Sequence, residues 1–269
     1  MRNLAGFALC LGVVGALAGC TAAPPRPQAA VPPSAYSAPV ATLRQEMAQE
    51  VPDDTPRSPA DDAAWIARTQ AMFAASPYTV STPQLVLAVD RNPAVQQLRV
   101  IFANPTGPWQ VIGGGKVSTG QAGLYGYFIT PTGVFPHTAG ILDYRALGTY
   151  NEEHIRGLGI KGRRVWDFGW QTAVEGWRTD GETNEIRLQM HATDPDVLEQ
   201  FLGRPASEGC VRVSAPMNVF LDRHAVLDAD YLRQAAYDPA VAAILPPDGD
   251  PFPYAGAYMV VFDSSEPPP

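Results

Sequence analysis

The sequence predicts a mainly β protein with minor α content, organised around one β-rich domain. Three observations carry that prediction. From about Leu85 to Val213, short β-rich runs are separated by glycine, proline and asparagine. No regular succession of strands and helices appears, which disfavours a doubly wound parallel sheet. No internal repeat is visible, and a stretch of roughly 150 residues is long enough to bury about two thirds of its unfolded surface.

In chain order, residues 1–20, "MRNLAGFALCLGVVGALAGC", combine an early arginine, an apolar run from Leu4 to Leu17 and small residues before a cysteine. That is the pattern of an export signal. The apolar run is shorter than the roughly 20 residues of a spanning helix. Its end, "LAGC", resembles a bacterial lipobox, which implies lipidation of Cys20 and places a lipid-anchored protein in the periplasm. Thr21 follows where an aspartate would resemble an inner-membrane retention signal, so the outer membrane of a Gram-negative cell is expected; an ordinary cleaved secretory signal is the alternative. Residues 21–57 are rich in proline and alanine and read as a disordered tether.

A short N-terminal helix is predicted over 58–78. Ser58 caps it, Pro59 fits its first turn, Asp61 and Asp62 complement its dipole, and Trp65, Ile66, Met72 and Phe73 recur at helical spacing. The β-rich domain is placed at 79–235. Residues 236–269 read as a C-terminal extension with one strand near 257–263 and a disordered tail, "DSSEPPP".

The net charge of −8 is spread along the chain without a basic cluster. Nucleic acid is therefore not an expected partner, because phosphate binding needs concentrated Lys and Arg. No metal or other cofactor is expected: there is no HExxH, no paired-cysteine spacing, and "GGGKVS" lacks the Ser or Thr that follows the lysine of a phosphate loop. If Cys10 leaves with the signal and Cys20 carries lipid, Cys210 has no disulfide partner. It is then either a small buried hydrophobe or a reactive thiol.

Two strands favour the reactive thiol. In "EIRLQMHA", Ile186, Leu188 and Met190 point one way and Arg187, Gln189 and His191 the other. In "GCVRV", Val211 and Val213 take one face, leaving Cys210 and Arg212 on the opposite one. Between the strands, "DPDVLEQFLG" predicts a short helix capped by Asp194 and stopped by Gly203. An ordinary thiol is only a few per cent ionised at neutral pH. A neighbouring imidazole that takes its proton raises the reactive fraction and later returns an acid. Cys210 is thus the candidate nucleophile and His191 its base, with the amides near Gly209 and Cys210 as oxyanion donors and Arg212 as a fork for a substrate carboxylate.

These residues resemble the L,D-transpeptidase catalytic domain family, the YkuD type. Its members carry a histidine followed by Gly or Ser, a gap of about fifteen residues, then Ser-His-Gly-Cys, an apolar residue, and Asn or Arg. This chain has His191 and Ala192, then "SEGCVR" from Ser207 to Arg212; upstream, "VSTGQAG" and "TPTGVF" match the family's Ser-Thr-Gly strand end and Thr-Pro-x-Gly-x-Phe hairpin. The similarity covers roughly residues 84 to 235. It implies packed, partly barrel-like β-sheets with a cleft and no required metal. The implied reaction cleaves the diaminopimelate–D-alanine bond of a peptidoglycan tetrapeptide stem through an acyl enzyme on Cys210. The acceptor would be diaminopimelate of another stem, a lysine of an envelope protein, or a free D-amino acid, while water would give carboxypeptidase activity. Ala192 stands at a position whose backbone carbonyl orients the histidine in the family. Glu208 replaces the motif's own histidine, and an anion there raises the thiol pKa. A non-catalytic peptidoglycan-binding lipoprotein is the rival reading.

His137, His154 and His224 read as structural or surface residues. Tyr144, Trp166, Trp170 and Trp177 fall in an insertion spanning 144–178, where they either line a lid over the cleft or pack in the core.

Overall fold

The computed structural model describes residues 34–52, 55 and 57–269. The export signal, Cys20 and the first part of the expected tether lie outside the described residues.

The remainder of that tether is not a tether. Residues Ser34–Glu50 form helix α1. The composition misleads because most prolines of the segment precede residue 34 or follow residue 51; only Pro39 lies inside the helix. Between them Tyr36, Val40, Leu43 and Met47 recur at steps of three and four, which makes one apolar stripe. With Val51, all five are buried at 5 % exposure or less. At about 1.5–3 kcal/mol for each fully buried large apolar side chain, this docking outweighs the poor local propensity. Arg44 Nε also donates to the Val111 carbonyl at 2.9 Å.

Helix α2, Pro59–Ala74, begins with a full capping box: the Ser58 hydroxyl accepts from the Asp61 amide, and the Asp61 carboxylate accepts from the Ser58 amide. Trp65, Ile66, Met72 and Phe73 dock on the sheet as the spacing predicts.

The strands are β1 (Gln84–Asp90), β2 (Gln97–Ala103), β3 (Gln110–Ser118), β4 (Gly133–Pro136), β5 (Tyr144–Arg145), β6 (Arg164–Val174), β7 (Thr183–Ala192), β8 (Val211–Val213) and β9 (Tyr258–Phe262). They form one curled, half-barrel sheet in the order β4-β9-β1-β2-β3-β8-β7-β6-β5. The fold is mainly β, as the sequence predicts. Pairings are antiparallel except β1 with β9 and β7 with β8. Both faces of β1 and β2 are covered: Leu85, Leu87, Leu98 and Phe102 pack with α1 on one side, and Val86, Ala88 and Ile101 pack with α2 on the other. That double burial explains why β1 reads as a continuous apolar run.

Helices α3 (Ala215–Arg223), α4 (Ala229–Gln234) and α5 (Pro239–Ile244) follow β8. The region after residue 236 is therefore not a mere appendage, since β9 lies between β4 and β1 inside the sheet. The short helix expected at "DPDVLEQFLG" reduces to turns and one 3-10 turn, Glu199–Phe201. Its intended cap is diverted, because the Asp194 carboxylate accepts from the Arg156 backbone and guanidinium and from the Asp196 amide. Among the described residues no helix is long and apolar enough to cross a membrane.

Candidate active site

The site is built by β7 and β8. Leu188, Met190, Val211 and Val213 are fully buried in the core, which sends Gln189, His191 and Arg212 to the opposite face. The two strands run parallel with Met190 opposite Val211 and His191 opposite Arg212. Cys210 immediately precedes β8, so the same register sets it beside Gln189, the residue before His191, and the Gln189 backbone bonds to it. The nineteen-residue excursion between them returns the chain to its own neighbour in the sheet.

His191 is nearly inaccessible, at 3 % exposure. Its Nδ1 donates to the Ala192 carbonyl at 2.7 Å. A carbonyl only accepts, so the proton sits on Nδ1 and the lone pair stays on Nε2. Burial, with the Arg212 charge adding to it and the Ala192 contact opposing it, pushes the ring down to about 4. His191 is therefore neutral at ordinary pH and able to accept a proton. Ala192 contributes this carbonyl and no other group, its side chain being buried.

Cys210 is a free, partly exposed thiol. Burial raises its pKa; a bond from the Gln189 backbone and the Arg212 guanidinium oppose the rise, while Glu208 and Asp167 add to it. Both groups are therefore uncharged at neutral pH.

The loop that carries Cys210 is clamped by the two upstream motifs. The Thr130 hydroxyl accepts from the Gly120 amide and donates to the Gly209 carbonyl, both at 2.8 Å. The Ala206 and Ser207 amides bond to the Thr119 carbonyl, and Phe128 N–H donates to the Glu208 carbonyl. A Cβ on Gly120 would stand 1.9 Å from the Phe128 carbonyl oxygen, so no side chain fits there. Gly209, at φ +131°, occupies a region that favours glycine, and a Cβ would press on Ile186 and Phe128. Ser207 is buried; its hydroxyl donates to the Cys210 carbonyl at 2.6 Å and accepts from the Gly209 amide at 3.2 Å. Ser207 and Gly209 therefore hold the shape of the loop. Arg212 Nη1 donates to the Ala206 carbonyl at 2.8 Å, while its buried Nε has no protein partner.

Two further residues share the face. Asp167, opposite Gln189 in the β6–β7 pairing, accepts from Arg187 at 2.7 Å and from the Gln189 side chain at 3.0 Å. The Tyr144 hydroxyl donates to Gln189 Oε1 at 3.3 Å, and the electrostatic influence of Cys210 reaches its phenol. Tyr144 also borders a cavity of about 560 Å³ lined by Leu147, Tyr150, Ile155 and Leu158. The tryptophans of the insertion divide: Trp166 is core, Trp170 is exposed, and Trp177 meets Tyr125 and Phe128 beside the cysteine loop. Gln189 was legible in the strand alternation that identified His191, whereas Asp167 and Thr130 were not, since their roles depend on neighbours distant in sequence.

The other histidines lie apart from this face. His137 is fully buried: Nδ1 donates to the Leu227 carbonyl and Nε2 to the Asp143 carboxylate, both at 2.9 Å. Both nitrogens donate, so the ring is an imidazolium; burial works against that charge, but Asp143 and Asp228 outweigh it and raise the pKa. His137, Asp143 and Asp228 have the residue types of a cation site. The Arg164 guanidinium already lies among them, 2.9 Å from Asp143 and 3.0 Å from Asp228. His224, at the end of α3, meets Glu50 at 3.2 Å, and His154 is exposed.

No family model matches the chain, and no curated protein matches it. Among solved structures it is similar to a fused Zn-dependent amidase/peptidase/peptidoglycan-binding domain-containing protein from Clostridium acetobutylicum, at 13 % identity and a TM-score of 0.30, over 77 % of this chain and 64 % of that one. The chain thus spans less than two thirds of that protein, and a superposition so loose carries no inference about fold or chemistry.

Proposed function

We propose that the protein is a cysteine acyltransferase of the cell wall, an L,D-transpeptidase acting on peptidoglycan stem peptides. The observation that carries this reading is the parallel pairing of His191 with Arg212, which brings Cys210, just ahead of β8, to the neighbourhood of a histidine whose Nδ1 is tied to the Ala192 carbonyl. The resemblance of four motifs to the YkuD-type family supplies the substrate class.

In this reading the Cys210 thiol attacks the carbonyl carbon of the stem's third residue, and its proton passes to His191 Nε2. The Cys210 amide, on the clamped loop, meets the developing oxyanion. The carbon–nitrogen bond breaks, the departing D-alanine nitrogen takes the proton from Nε2, and a thioester remains. An acceptor amine then attacks the thioester and gives a proton to Nε2. The carbon–sulfur bond breaks and the sulfur recovers that proton, leaving a new amide and the original enzyme. Every proton in the cycle passes through one imidazole. Arg212, partly exposed and opposite His191 in the β7–β8 pairing, supplies the positive charge for a substrate carboxylate. The lipid anchor at Cys20 and a periplasmic place at the outer membrane belong to the same proposal and rest on the sequence of residues 1–20.

The test is digestion of purified sacculi with the protein, followed by identification of the muropeptides. Stems that lose D-alanine and gain an amide bond support transpeptidation. Tripeptides alone would make it a carboxypeptidase. Wall binding with no acyl adduct on Cys210, including none with a carbapenem, would leave a binding protein and overturn the enzyme reading.

A further inference from the structure

We infer that Glu208 selects the second substrate: its carboxylate, on the rim of the site, recruits a cationic amine to the acyl enzyme in preference to water. This inference rests on the acyltransferase reading and adds the feature that decides where the acyl group goes.

Glu208 is exposed, two residues before the nucleophile, so its backbone stands within about 7 Å of Cys210. The loop is fixed on both sides of it. Phe128 N–H holds the Glu208 carbonyl, Thr130 holds the Gly209 carbonyl, and the buried Ser207 hydroxyl spans the turn. The carboxylate itself makes no hydrogen bond or ion pair among the described residues. It is a free anion on a rigid mount.

The other acid near the thiol does not compete for this role. Asp167 is buried, and its Oδ2 is already shared by Arg187 and Gln189. On the cationic side, Arg212 presents a buried Nε with no partner. The site is therefore polarised: Arg212 suits a carboxylate of the acyl donor, and Glu208 suits the ammonium of an incoming amine.

At neutral pH an aliphatic amine arrives as ammonium, and its attraction to Glu208 acts over a distance shorter than the Debye length of about 8 Å at physiological salt. Water gains nothing from that attraction, so the carboxylate favours aminolysis over hydrolysis. Once the amine is held, the ammonium loses one proton to solvent and the free amine attacks the thioester; its second proton passes through His191 to the sulfur as the carbon–sulfur bond breaks and the amide forms. The arrangement has a cost in the first half-reaction, since the same anion disfavours the thiolate of Cys210. Removing Glu208 should then move the two half-reactions in opposite directions, which a general loss of folding would not do.

The experiment uses the purified protein, a disaccharide-tetrapeptide muropeptide as donor, and two acceptors: Nα-acetyl-lysine amide, which is cationic, and hydroxylamine, which is uncharged at neutral pH. Mass spectrometry reads the ratio of aminolysis to hydrolysis. For Glu208→Gln, the ratio with the lysine derivative falls about threefold through a higher acceptor KM, the size expected of one exposed charge contact. The hydroxylamine ratio stays constant, acylation of Cys210 is unchanged or faster, and Glu208→Asp keeps most of the preference. Added salt lowers the lysine ratio of the unmodified protein and leaves that of Glu208→Gln flat. Equal ratios for both acceptors in Glu208→Gln and the unmodified protein would overturn the assignment while the acyltransferase reading stands. No acylation of the unmodified protein by the donor would overturn both.

Discussion

The imidazole of His191 donates from Nδ1 to the carbonyl of Ala192, the next residue in its own strand, at 2.7 Å. This one bond fixes the tautomer, leaving Nε2 unprotonated, while burial and the Arg212 charge, working against that bond, keep the ring neutral. The accepting group belongs to the backbone, so the side chain at position 192 has no part in it.

A pH dependence follows from that neutral ring. In the proposed reaction turnover requires the unprotonated imidazole, whose pKa is pushed to about 4. The acid limb of kcat/KM should therefore lie near pH 4, well below the ordinary histidine value of about 6.5. Stability carries the same sign: the folded state binds the proton less readily than the unfolded chain, so stability is complete above about pH 6.5 and drains as pH falls through 4. The loss amounts to about 3 kcal/mol at 1.36 kcal/mol for each unit. His191→Gln should remove that acid-side loss in urea titrations and lower turnover by about 10²–10⁴. An acid limb remaining near 6.5 would contradict the assignment.

Thr130 offers a test of the clamp that leaves nucleophile and base untouched. Thr130→Val keeps the shape but deprives the Gly120 amide and the Gly209 carbonyl of their shared partner. Leaving buried polar groups unpaired costs about 1–3 kcal/mol each. Thermal melts should show a loss of about 2–6 kcal/mol, or several degrees in Tm for a domain of this size. Acylation of Cys210 should fall as well, and Thr130→Ser should restore both.

The buried cluster around Arg164 predicts the opposite pH behaviour. Its guanidinium meets Asp143, Asp222 and Asp228, with His137 beside them as an imidazolium. Arg164→Met would leave buried carboxylates without their main cation and should destabilise the fold by about 3–5 kcal/mol in denaturant titrations. Because the pKa of His137 is raised, its contribution is complete below about pH 6.5 and is lost as pH rises through the raised value. His137→Gln should flatten this alkaline decline. A decline unchanged in His137→Gln would show that another group controls it.

The mainly β fold and the two site strands were legible because they depend on local alternation. Leu188, Met190, Val211 and Val213 could share one face only by sending His191 and Arg212 to the opposite one together. The first helix was obscured by averaging over a proline-rich segment that hid the regular spacing of Tyr36, Val40, Leu43 and Met47. Asp194 misled as a helix cap because its carboxylate is claimed by Arg156, a residue 38 positions away. The clamp of Thr130 on Gly209 spans 79 positions. No periodicity encodes such meetings; they arise only once the sheet order exists.

That order also has a consequence for biosynthesis. Strand β9, near the carboxyl end of the sequence, separates β4 from β1 and bonds to both. A chain halted before Tyr258 lacks the piece that joins them, leaving two apolar borders open to intermolecular pairing. Polypeptides that lack Tyr258–Phe262 are therefore prone to aggregate, and synthesis of β9 is the event that closes the gap between β4 and β1.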